Sequence, residues 1–322
     1  MEYRKIGKWG IRVSEIGLGS WLTYGQTVSE SESAKQIDYA FQNGINFFDT
    51  ANVYGLGHGE EAVGKGLQKI KRDSYVLATK VFFPMGDGPN DKGLSRKHIF
   101  EQCHASLKRL KTDYLDLYQC HRFDPSVPVF EVVRSMDDLA RQGKILYWGV
   151  SEWSAQQIEI AANVAAEINA IPPISNQPLY NMFDREIEEE VLPTCKKLGM
   201  GQVVFSPLAQ GILTGKYSVD KPIPENSRAA DSQSSGFMRS TLTKENLLLV
   251  EQLKSIANHL NISMAQLALA WCLRLPEISS TIIGSKSIGH IEANKTASGL
   301  KIPLEIWAQI DNVLNNKVIS RA

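Results

Sequence analysis

Asp49, Tyr54, Lys80 and His121 are the residues whose types and placement could do chemistry. A free phenol titrates at about pH 10, so alone it donates a proton poorly at neutral pH. A lysine cation nearby stabilises the phenolate and lowers that pKa. A carboxylate beside the lysine fixes its position, and an imidazole could donate to a carbonyl oxygen and orient it. Asp49 and Tyr54 stand in one stretch, INFFDTANVYG, at 45–55. Its apolar, strand-prone start (Ile45, Phe47, Phe48) runs into a carboxylate and then a polar loop with a phenol beside Gly55. Each member also has a bland reading. Asp49 could be a turn residue, Lys80 a solvated strand end, Tyr54 a loop aromatic, and His121-Arg122 a structural pair. The spacing by itself does not name a reaction.

These residues need a frame that points them the same way. A small hairpin is expected from 3–6 and 11–13 around Lys8-Trp9-Gly10. Eight strands follow, at 15–19, 46–49, 76–80, 115–120, 146–151, 174–177, 202–206 and 280–284, each succeeded by a helical pattern. The helices fall at 31–43, with Ser29 or Ser31 as N-cap, and at 60–70, 95–108, 129–142, 154–168 and 185–197. Further helices fall at 244–259, 263–273, 288–297 and 304–314. Strict alternation predicts a parallel sheet covered by helices, and eight units favour a closed (β/α)8 TIM barrel with an N-terminal β-hairpin and C-terminal extra helices. The rival doubly wound sheet usually carries GxGxxG, but Leu22 and Glu60 stand where the two nearest matches need their third glycine. With no linker in view, residues 1–322 read as one domain.

Barrel enzymes build their sites at the C-terminal strand ends. Those ends are Asp49, Lys80, His121, Ser151, Gln177, Ser206 and Gly284, with Tyr54 in the following loop. Two later stretches could hold an anion. Ser206–Gly211, with Lys216 soon after, offers backbone N–H groups in a loop. Gly284-Ser285-Lys286-Ser287 leads into a helix at the position where barrels often bind phosphate. An ordinary loop and a capped helix are the respective alternatives. His58-Gly59-Glu60-Glu61 is not HExxH, and no metal site is supported.

The 322 residues carry 35 basic and 35 acidic side chains, with 43% hydrophobic and 22% charged content. No net field favours nucleic acid or an anionic membrane. No apolar run approaches the roughly 20 residues needed to cross a bilayer. The four cysteines form no CxxC pair, which fits reduced thiols in a cytoplasm.

The stretches GLGSW, NFFDTANVYG, ATKVFF, SLKRLKTDYLDLYQCHR, YWGVSEWSAQQI, NQPLYNMFDRE, FSPLAQGILTGKY and AQLALAWCLR are together highly specific. From residue 3 to about 315 the chain resembles the aldo-keto reductases, in the branch of the voltage-gated potassium channel β subunits and their plant and bacterial relatives. The resemblance implies a barrel that reduces an aldehyde or ketone with NADPH, using Asp49, Tyr54, Lys80 and His121. It implies that Ser151 and Gln177 hold the nicotinamide carboxamide, that Phe205 stacks on the ring, and that Ser20 and Trp21 border the pocket. Ser206, Leu208, Gly211 and Lys216 would line the pyrophosphate, with Arg228 closing over it. Lys286 would serve the 2′-phosphate, and Asn294 the adenine, with Gly284 among the cofactor-binding residues. A homotetramer and a channel's cytoplasmic domain are the partners that the resemblance implies. Mammalian channel β subunits carry Asn where this chain has His121, which favours catalysis over sensing alone. They carry Arg where it has Glu152, and His290 and Ala293 also depart from the usual adenine contacts.

Overall fold

The computed structural model describes residues 1–225, 227–231, 235–238 and 240–314. A two-stranded antiparallel hairpin, β1 (Tyr3–Lys5) and β2 (Arg12–Ser14), precedes the barrel. The barrel strands are β3 (Ile16–Gly19), β4 (Phe47–Asp49), β5 (Val76–Val81), β6 (Leu115–Cys120), β7 (Ile145–Val150), β8 (Ser175–Asn176), β9 (Gly201–Val204) and β10 (Ile278–Gly284). They pair in parallel in chain order, and β10 closes the ring by pairing with both β9 and β3. Around them lie α1 (Glu30–Gln42), α2 (His58–Leu67), α3 (Arg96–Leu110), α4 (Val129–Arg141), α5 (Ala155–Glu167), α6 (Val191–Leu198), α7 (Lys244–His259), α8 (Met264–Leu273), α9 (Ile288–Lys295) and α10 (Leu304–Val313). The expected closed (β/α)8 barrel with its hairpin is what the chain forms.

Local chemistry sets several boundaries. Ser29, rather than Ser31, caps α1 by accepting from the Glu32 N–H. Ser154 with Gln157, and Ser263 with Gln266, form reciprocal capping boxes at α5 and α8. The expected helix over 185–197 is instead a 3₁₀ turn, Glu186–Glu188, followed by α6. Pro193 has no N–H and is tolerated only in a first helical turn, so the α-helix restarts just before it. The sixth barrel strand shrinks to two residues because Pro172-Pro173 and Pro178 remove ladder donors on either side. The seventh stops before Ser206, whose φ of 53° leaves the extended region.

The strands alternate between helix-facing and interior-facing side chains. The interior is tight near the hairpin. A Cβ at Gly17 would lie 2.7 Å from Phe47 Cδ1, and one at Gly149 would lie 2.2 Å from Ser175 Oγ. Ile6 and Val13 of the hairpin are fully buried against Phe47, Ala78, Leu117 and Val203. The hairpin thus plugs the N-terminal end of the barrel. The larger apolar cluster lies between strands and helices. What remains for the C-terminal end are the polar inward positions, two residues further along the same strands.

Candidate active site

Asp49 ends β4, two residues after inward-facing Phe47, and Lys80 lies one residue before the end of β5. The Lys80 side chain is fully buried. Its three N–H bonds are all used: Nζ donates to Asp49 Oδ1 at 2.6 Å, to the Thr50 carbonyl at 2.8 Å and to the Tyr54 hydroxyl at 3.4 Å. Asp49 Oδ2 accepts from Gln177 Nε2 at 2.9 Å and from Gln119 Nε2 at 3.4 Å. The carboxylate is therefore held from both oxygens, and the ammonium is held against it.

Tyr54 opens a short turn, Tyr54–Gly57, in which Gly55 and Leu56 both have positive φ. That reversal sends the chain into α2 and leaves the phenol partly buried over Lys80, whose Nζ lies 5.0 Å from the ring centroid. His121 follows β6 and extends its ladder, its backbone N–H donating to the Val81 carbonyl at 2.9 Å. Its ring meets Tyr54 edge-on at 5.8 Å and Phe83 at 4.8 Å between centroids. Its buried Nδ1 has no hydrogen-bond partner among the described residues.

Electrostatics divide these groups. Burial by itself would lower the Lys80 pKa, but Asp49 and Tyr54 together outweigh it and the net direction is upward. Burial raises the Tyr54 pKa by more than Lys80 pulls it down, so the phenol is held protonated. Only the lysine contribution follows the expectation from sequence; the net direction is the reverse. His121 lies well below the usual imidazole range, first through burial and then through the Lys80 and Arg122 charges. The site therefore carries an ammonium–carboxylate pair, a protonated phenol and a neutral imidazole.

The other expected site residues gather at the same end. Ser20 donates its hydroxyl to Thr50 Oγ1 at 2.8 Å, and its N–H donates to the Asp49 carbonyl at 3.0 Å. A Cβ built at Gly284 would lie 3.9 Å from Thr23 Cγ2 and 4.0 Å from the Trp21 carbonyl oxygen, so the loop after β3 stands over the end of β10. Ser151 donates to the Gln177 carbonyl at 2.8 Å. Ser151 and Gln177 thus spend donors within the protein, on each other and on Asp49. Phe205, partly buried, makes no aromatic-ring contact among the described residues.

The segment after β9 winds through left-handed conformations at Ser206, Ala209, Gln210 and Gly211. Such a path turns successive backbone N–H groups toward a common side. A Cβ at Gly211 would stand 3.4 Å from Lys216 Nζ. Leu208 closes the turn by accepting from Gly211 and Leu213. Arg228 bonds to Gln210 and lies 5.8 Å from the Trp21 ring centroid, so it joins this loop to the β3 end. Lys286 is exposed ahead of α9, and Asn294 is buried on that helix. The His290 pKa is lowered by burial and then by the Lys216 and Lys286 charges.

Sequence reasoning passed over Thr50 and Gln119, and Arg122 entered it only as half of a structural pair with His121. Gln119 was legible from alternation, since it sits two residues before His121 on the same strand face. Thr50 acts through its backbone carbonyl, which side-chain type cannot signal. Glu60, in the stretch that does not match HExxH, is a buried structural carboxylate. It accepts from Thr79 and from Arg109, each at 2.5 Å. A groove of about 430 Å³ at the opposite barrel end is lined by Arg4, Lys5, Arg12 and Arg274. There the Arg4 and Arg274 guanidinium groups are engaged by Glu15, Glu188 and backbone carbonyls.

A closed parallel barrel with a polar cluster at its C-terminal strand ends defines an enzyme-type (β/α)8 protein. The chain belongs to the aldo/keto reductase family, whose model matches residues 15–315. That membership supports an oxidoreductase role in a family that generally uses NAD(P)H. The chain is 42% identical, over 98% of both sequences, to a probable voltage-gated potassium channel subunit beta of Oryza sativa subsp. japonica. It is equally similar, at 42%, to one of Arabidopsis thaliana. It is 43% identical to a putative voltage-gated potassium channel subunit beta of Schizosaccharomyces pombe, over 97% of this chain and 93% of that one. The residues present fit a phosphorylated dinucleotide. The Ser206 and Gln210 N–H groups of the left-handed loop make no hydrogen bond among the described residues, and the Lys216 and Lys286 charges both act on His290 beyond it.

Proposed function

We propose that this protein reduces aldehydes and ketones to alcohols with NADPH, and that Tyr54 is the proton donor. The observation that carries this reading is the fully buried Lys80 ammonium, 2.6 Å from Asp49 and 3.4 Å from the Tyr54 hydroxyl. NADPH, when bound, supplies the hydride. Tyr54 holds its proton in the resting site and releases it to the alkoxide oxygen as charge develops there. Lys80, kept cationic by Asp49, stabilises the phenolate that this leaves. Neutral His121 donates one N–H to the carbonyl oxygen and orients it. Asp49 catalyses nothing directly; with Gln119 and Gln177 behind it, it positions the lysine.

For the cofactor, Ser206, Leu208, Gly211, Lys216 and Arg228 would hold the pyrophosphate. Gly284 and Lys286 would serve the 2′-phosphate region, and Asn294 the adenine. Phe205 would stack on the nicotinamide, and Ser20 and Trp21 would border it. Ser151 and Gln177 would hold its carboxamide by exchanging one of the donors they now give to protein partners. NADPH absorbance with a panel of small aldehydes and ketones tests the reading. Tyr54→Phe should abolish most turnover while leaving NADPH affinity nearly intact, and wild-type turnover in that variant would reject the assignment.

A second reading, a cofactor-binding regulatory subunit of a potassium channel, is favoured by what the relatives are called. Among the described residues no helix is long and apolar enough to cross a membrane. On this second reading the chain would be a homotetramer in the cytoplasm and would meet a channel's cytoplasmic part. The four free, buried cysteines suit a reducing compartment. Slow turnover with tight NADPH retention and co-purification of a channel would favour this reading. Aldehyde turnover faster than cofactor exchange would favour the enzyme.

A further inference from the structure

Resting on the reductase reading above, we propose that Arg122 selects carbonyl substrates that carry an anionic group, a carboxylate foremost. Arg122 follows His121 directly and is partly buried at the mouth of the site. Its Nη1 donates to the His121 carbonyl at 2.5 Å and to Ser151 Oγ at 3.4 Å, which fixes the guanidinium plane. Nε and Nη2 make no hydrogen bond among the described residues and are not buried. No carboxylate of the described residues lies within 4.0 Å of it. Arg4, Arg72, Arg109, Arg185 and Arg274, also partly buried, each have an acidic partner, whereas Arg228 is held by Gln210.

Lys80 is neutralised by Asp49 and His121 is neutral, so Arg122 is a charge in this neighbourhood that has no counter-ion among the described residues. Its field reaches the reacting groups, since it contributes to the titration of both Tyr54 and His121. Its carbon lies 5.6 Å from the Phe83 ring centroid, and Phe83 in turn packs on His121. An apolar wall therefore runs from the imidazole to the guanidinium. The free Nε–Nη2 edge is the one that binds a carboxylate through two parallel hydrogen bonds, and a guanidinium is weakly hydrated. A substrate with its carbonyl oxygen at Tyr54 and His121 could place a carboxylate there across a short apolar spacer.

The test compares 4-formylbenzoate with its methyl ester for the wild-type protein, Arg122→Gln and Arg122→Lys. The wild type should favour the carboxylate by about tenfold in kcat/KM, mostly through KM, as one charge-assisted pair implies. The preference should shrink with salt, vanish in Arg122→Gln and partly return in Arg122→Lys. Equal kcat/KM for acid and ester in the wild type, or a preference that survives Arg122→Gln, overturns the proposal. If neither compound is reduced, the reductase reading fails and binding alone decides. Calorimetric titration with 4-(hydroxymethyl)benzoate should then show at least about tenfold weaker binding to Arg122→Gln. No binding to the wild type, or equal binding to both, overturns it.

Discussion

Replacing Lys80 with Met separates what the ammonium does for catalysis from what it does for folding. The ammonium stands 3.4 Å from the Tyr54 oxygen. At an effective dielectric of about 20, a full phenolate there would gain about 5 kcal/mol from that charge. A transition state with roughly half the charge on the phenol, opposed in part by the Asp49 carboxylate, would keep about 2 kcal/mol, or roughly thirtyfold in rate. The folding effect has a different origin. With Lys80 gone, Asp49, only 3% exposed, loses its counter-ion. Stranding one member of a buried pair costs about 3–5 kcal/mol. Lys80→Met should therefore lower both single-turnover rate and urea stability. The double variant Lys80→Met with Asp49→Asn should recover much of the stability but none of the rate. Turnover within threefold of wild type in Lys80→Met would refute the electrostatic reasoning, and so would a double variant no more stable than the single one.

Three further outcomes are expected. Lys286→Ala should weaken NADPH binding at least about tenfold more than NADH binding, since it removes a cation proposed for the 2′-phosphate region; fluorescence titration with both cofactors would expose equal losses. Because folded His121 sits well below the ordinary imidazole value, the unfolded chain takes up its proton first as pH falls below about 6.5. Stability from that group is therefore complete above this pH and lost on acidification, by up to about 1.4 kcal/mol per pH unit. In urea titrations from pH 7 to 5, His121→Asn should flatten that slope, and an unchanged slope would remove His121 as its source. Gly149→Ala places a Cβ 2.2 Å from Ser175 Oγ and 2.9 Å from the Ser175 carbonyl oxygen, so about 1–3 kcal/mol of stability should be lost. A wild-type urea midpoint would show that β8 can give way.

The sequence by itself determined the order of elements and the end of the barrel at which chemistry gathers. Period-two apolar runs such as Phe47–Asp49 and 76–80 fix which residues share a strand face, and alternation with helices allows little but a parallel ring. Asp49 and Lys80 therefore had to face the same interior, next-door strands pairing in register. It did not determine what closure of the ring decided. Gln177 donates to Asp49 across 128 residues of chain, a contact set by strand tilt and barrel radius rather than by any local pattern. The boundaries around Pro193 and Ser206 were blurred because one missing N–H or one positive φ overrides an otherwise regular pattern. The proton affinities of Tyr54 and His121 depended on how deeply the packed barrel withdraws them from water, and desolvation is a property of the whole enclosure. Arg122 stands out for the same reason: that it has no acidic partner among the described residues becomes visible only when the side chains around it have positions.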